Sequence, residues 1–142
     1  MSAKKTKLLA CVLVYCLCAF TALAQSTVTA VYQSKKVYFS KPGKQRGSSE
    51  PYKEIDNGAG LYQLSIYTDH IAIRKTETTE LKIVSFKQHK GETKYNLADG
   101  KGKHFELYIS PVDKTGNTNI TLTELDNSYA PIGTYMLVCS KY

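Results

Sequence analysis

Tryptophan is missing from this 142-residue chain, proline occurs only four times, and past residue 24 the cysteines dwindle to one, Cys139. A lone cysteine closes no intramolecular disulfide, so stability has to come from a buried core rather than from cross-links. Past residue 24 no apolar run approaches the ~20 residues that span a bilayer, and no transmembrane segment is expected in the mature chain. Chemical signatures are equally sparse. There is no Gly-x-Ser-x-Gly nucleophile elbow and no glycine-rich phosphate loop, and the scattered Asp and Glu residues single out no pair for sugar hydrolysis. Neither catalysis nor a cofactor is expected.

What is there begins with a leader. Lys4, Lys5 and Lys7 precede an apolar stretch from Leu8 to Leu23, and Ala22-Leu23-Ala24 forms a small-x-small processing site that places cleavage before Gln25. The reading is a signal peptide over 1–24 and one domain over 25–142, exported to a secreted or periplasmic location. Three of the 19 basic residues and none of the 12 acidic ones lie in the leader, which leaves the mature chain at +4. That balance suits solubility and falls short of a nucleic-acid footprint, so nucleic acid is not an expected partner.

Period-2 alternation dominates the rest. In Gly60 to Lys75, Tyr62, Leu64 and Ile66 alternate with Gln63, Ser65 and Tyr67; Thr68 and Asp69 supply turn chemistry, and Ile71 and Ile73 alternate with Ala72 and Arg74. This is a β-hairpin with Tyr62, Leu64, Ile66, Ile71 and Ile73 facing a core. Ser26 to Ser40 reads as one long bent strand or two short ones. Leu81 to Gln88 changes parity after Ile83, the mark of a bulge or of partial cover on both faces. Asp99-Gly100 predicts a tight hairpin with positive φ at both residues, between strands at Thr93 to Leu97 and Phe105 to Ile109. Further strands follow at Ile120 to Leu125 and Gly133 to Lys141, the last suited to closing a sheet. Lys41 to Gly58, rich in Pro, Gly and charge, predicts a long loop, in which Ser49-Glu50-Pro51 favours a single helical turn.

The expected fold is all-β: a single antiparallel up-and-down barrel or closed sandwich of about eight strands. In strand count and meander order it resembles lipocalin-type barrels, in architecture only, since the Gly-x-Trp of their first strand has no counterpart here.

His70, His89 and His104 fall on outward parities or in a turn, so no metal site is expected, and Cys139 sits in an apolar strand as an inert small hydrophobe. Outward tyrosines are more informative, because a flat apolar body with a polar tip stacks on sugars or anchors a protein. Tyr67 and Tyr108 have that parity beside His70 and Arg74, and Lys41, Lys44 and Arg46 form a basic run. These seven are the surface candidates of a non-catalytic binding module for an envelope, glycan or protein partner. The alternative is a carrier of a small apolar ligand, with Tyr62, Tyr95 and Phe105 lining the barrel interior.

Overall fold

The computed structural model describes residues 26–45, 47–56 and 62–142, so the leader over 1–24, Arg46, and the first two residues of the Gly60 to Lys75 hairpin lie outside the described residues. Nine antiparallel strands follow one another: β1 (Val28–Ser40), β2 (Lys53–Asp56), β3 (Gln63–Tyr67), β4 (His70–Arg74), β5 (Thr78–His89), β6 (Glu92–Ala98), β7 (His104–Ile109), β8 (Asn117–Leu125) and β9 (Pro131–Lys141). From β3 to β9 each strand pairs with the next, and β9 returns to β1, which closes an eight-stranded barrel. The chain is thus all-β and a barrel rather than a sandwich.

Closure depends on β1, whose 13 residues serve both edges. Val28 to Gln33 pair with β3 and Val37 to Phe39 with β2 along one edge, while Tyr32 to Ser40 pair with β9 along the other. The pairing with β9 shifts between Ser34 and Lys36. That bulge leaves Lys35 and Lys36 in water and turns Val37 back inward, which a strictly alternating strand could not do with this sequence. The long bent strand read from the sequence is this one.

Inside, each barrel strand contributes one aliphatic side chain to a central belt: Val37, Leu64, Ile71 and Leu81 on one side, Leu97, Leu107, Ile120 and Leu137 on the other, all at most 4% exposed. Each such burial stabilises the fold by about 1.5 to 3 kcal/mol before chain entropy is counted. β5 has the bulge expected of it, between Ile83 and Ser85. Val84, in the bulge, and Phe86, beyond it, are exposed, and Phe86 faces Tyr95 with ring centroids 5.7 Å apart.

Three expectations are corrected. The stretch 41–58 is a β-ribbon as well as a loop: β2 pairs with the end of β1, and Pro42 bridges Ser49. No helical turn forms at Ser49, because the ribbon uses its backbone instead, with Glu50 N donating to Lys41 O at 2.8 Å. At Asp99-Gly100 the positive φ belongs to neither residue. Asp99 opens a five-residue turn whose left-handed position is Gly102, and its carboxylate accepts the backbone N–H groups of Lys101 and Lys103. Asp113 and Asp126 build the next two hairpins the same way, with Gly116 and Tyr129 at positive φ. The two-residue turn with both φ positive is Lys90-Gly91.

Candidate functional site

One end of the barrel, here the top, carries the β4–β5, β6–β7 and β8–β9 turns together with the β1–β2 ribbon; the other end is the base. The chain is organised at the top by the β1 bulge. Ser34 N donates to Tyr62 O at 2.8 Å, and Tyr62 N donates to Ser34 Oγ at 2.9 Å. Clamped in both directions, Tyr62 stands just before β3 and lines the barrel interior, and Lys75 Nζ lies 5.2 Å from its ring centroid.

Below Tyr62 lies a cavity of about 140 Å³. Its aliphatic walls are Val37, Leu64, Ile73, Leu122 and Leu137, one from each of β1, β3, β4, β8 and β9, and Tyr62 and Tyr135 complete the lining. The aliphatic walls follow from the inward parity of those strands. The space follows from a glycine. Phe39 has the same inward parity, but its ring is drawn aside over Gly133, where a Cβ would meet two ring carbons at 2.9 Å, and it packs on Tyr135 at 4.8 Å between centroids. A side chain at 133 would occupy the place where the Phe39 ring now rests.

Polar interior groups collect away from the cavity and are held neutral. Burial pushes the Cys139 thiol up to about 12. Burial first, then the neighbouring Tyr95 and Cys139, raises the Tyr32 phenol, and burial raises that of Tyr95. A thiol so displaced carries almost no thiolate near neutral pH and has no nucleophilic role there.

Of the three cavity residues expected from the sequence, Tyr62 lies on the cavity wall. Tyr95 and Phe105 face inward and pack against the core elsewhere. The surface candidates are not gathered together. Tyr67 and His70 stack at the base, rings 4.3 Å apart and 9° from parallel. Arg74 is at the top, donating to Gln63 Oε1 at 2.8 Å. Tyr108 stands on β7, four strands round the barrel from Tyr67, with its phenol raised first by donating to Glu92. Lys41 and Lys44 belong to the ribbon at the top, and Arg46 lies outside the described residues.

Sequence parity missed one constellation, Ser26, Asp69 and His70. Ser26 Oγ donates to Asp69 Oδ1, and His70 Nδ1 lies 2.7 Å from the same oxygen. Activating a serine requires the imidazole between hydroxyl and carboxylate. Here the carboxylate is in the middle, so the arrangement ties the start of β1 to the β3–β4 turn and does not prime a nucleophile. Among the described residues, no group of three or more His, Cys, Asp or Glu side chains is placed to hold a metal ion, and no helix is long and apolar enough to cross a membrane. Compared with protein-family models, curated proteins and solved structures, the chain matches none.

Proposed function

We propose that this chain is an exported, non-catalytic binding protein that holds a small apolar ligand, a single ring or a short alkyl chain, in the cavity under Tyr62. The observation that carries the reading is the 140 Å³ of apolar space within the barrel, walled by five aliphatic side chains. Unfilled volume is costly: at about 24 cal/mol per Å³, a fully enclosed void of this size removes about 3 kcal/mol, and one partly open to solvent removes less. Small domains hold only ~5 to 15 kcal/mol of net stability, so such a void favours a use for the space. An apolar cavity of ~150 Å³ in another protein stays dry and accepts benzene, which sets the ligand's scale. Larger lipids need sites of roughly 300 Å³ or more.

Isothermal titration of the mature chain with toluene and with dodecanoate tests it. Toluene is expected to bind with a negative heat-capacity change, the mark of apolar burial, and dodecanoate is not. Failure of toluene and other ring-sized apolar probes to bind sinks the proposal. Saturable binding of dodecanoate would overturn the size limit.

A further inference from the structure

Outside the barrel, on the opposite face of the β8–β9 wall from the cavity, the ribbon encloses a second space, a cleft of about 830 Å³. The chemistry of the two spaces differs. The cavity is walled by aliphatic side chains. The cleft is mixed: the outward threonines of β8 and β9, Thr121, Thr123 and Thr134, and the serines and lysines of the ribbon share it with Pro42, Ala130 and Pro131.

The ribbon is a folded wall. Gly43 N donates to Ser48 O at 2.8 Å, Ser48 N to Gln45 O at 3.0 Å, and Ser40 Oγ to Glu50 O at 2.5 Å. These bonds hold the ribbon's backbone, Lys41 and Lys44 line the cleft with exposed side chains, and neither lysine has an acidic partner among the described residues. On the facing wall the Thr123 and Thr134 hydroxyls bond each other at 3.0 Å, while the half-buried Thr121 hydroxyl has no protein partner among the described residues. Tyr52, 43% exposed, adds an aromatic face to the same cleft.

We infer that this cleft is a second binding site, independent of the cavity, and that it takes an acidic saccharide. Hydroxyls and backbone carbonyls at this density match the alternating donors and acceptors of a sugar ring. A tyrosine offers the apolar C–H face of a sugar a stacking surface. The two lysines meet the saccharide's carboxylate or sulfate as point charges. The volume lies in the range of ligand sites, about 300 to 1,000 Å³. A duplex nucleic acid needs a long basic track, which the mature chain's net +4 does not provide.

The test is titration of the mature chain with a galacturonate hexasaccharide, a heparin hexasaccharide, neutral maltohexaose and inorganic phosphate. At least one acidic hexasaccharide is expected to bind, and to weaken as salt rises from about 50 to about 300 mM. Lys41→Ala with Lys44→Ala is expected to cost about tenfold or more in affinity, and Tyr52→Ala a smaller factor. Toluene binding in the cavity stays unchanged in both variants, which separates failure here from failure of the cavity reading. Three results overturn the inference: neither acidic hexasaccharide binds, maltohexaose or phosphate binds as tightly, or the double lysine variant keeps full affinity.

Discussion

Leu122→Phe places an aromatic ring into the space beneath Tyr62. Leu122 lies on β8 between Leu107 on β7 and Tyr135 on β9, facing the cavity. Fully enclosed, an empty 140 Å³ at about 24 cal/mol per Å³ corresponds to roughly 3 kcal/mol of lost stability, which is the upper bound for a space partly open to solvent. If the ring recovers a third of that volume, unfolding becomes harder by about 1 kcal/mol. Urea unfolding followed by far-ultraviolet circular dichroism is the assay, since the chain has no tryptophan to report by fluorescence. With a urea slope of about 1 to 3 kcal/mol/M, the midpoint is expected to rise by roughly 0.3 to 1 M at constant slope. The same substitution should abolish toluene binding. If the site is already full, the extra atoms overpack it and the variant loses about 1 to 3 kcal/mol. That outcome refutes the cavity as a functional space.

Three further outcomes follow from neighbouring features. Gly133→Ala should push the Phe39 ring off its seat toward the cavity, lowering stability by about 1 to 3 kcal/mol in urea and weakening toluene binding; unchanged binding would separate the ring from the cavity. Asp113 and Asp126 are held below the ordinary carboxylate range, first by the Thr115 and Ser128 hydroxyls and then by backbone N–H groups. Because their folded values are depressed, the stability they confer is complete above the unfolded value of about 4 and is lost as pH falls through the folded values. The urea midpoint should therefore drop below about pH 4, and Asp113→Ala with Asp126→Ala should flatten that drop; an unchanged profile would argue against the carboxylates. Cys139, fully buried with its thiol pushed up to about 12, should resist a thiol reagent in the native state and react only on unfolding, so rapid native labelling would contradict its placement.

How much of this could be read from residues alone is decided by what alternation encodes. A period of two tells which face a side chain takes, and it correctly turned Leu64, Ile66 and Ile71 inward. It does not give height along the barrel or position round it. Tyr62, Tyr95 and Phe105 share the inward parity, yet the β1–β3 clamp at Ser34 brings only Tyr62 to the cavity wall. Tyr67 and Tyr108 share the outward parity and stand four strands apart, because strand order, not parity, sets the angle between them. β2 was hidden for another reason. Lys53-Glu54-Ile55-Asp56 has one apolar residue, and Lys53, Glu54 and Ile55 are all exposed, so its pairing comes from the end of β1 offering a free edge. The Asp99 turn was legible as a turn but not by type. Asp-Gly is also the opening of the five-residue turn, in which the Asp carboxylate caps backbone N–H groups and the left-handed residue comes three positions later.

The cavity itself depends on a contact between residues 94 positions apart in the chain, Phe39 over Gly133, and is most directly examined in a crystal held under xenon pressure. Xenon occupies dry apolar cavities of this size. Density for xenon is expected between Leu64, Ile73, Leu122 and Leu137, with Phe39 still resting on Gly133. A crystal with no xenon there, and with Phe39 or Tyr135 turned inward to fill the space, would contradict the proposed ligand site.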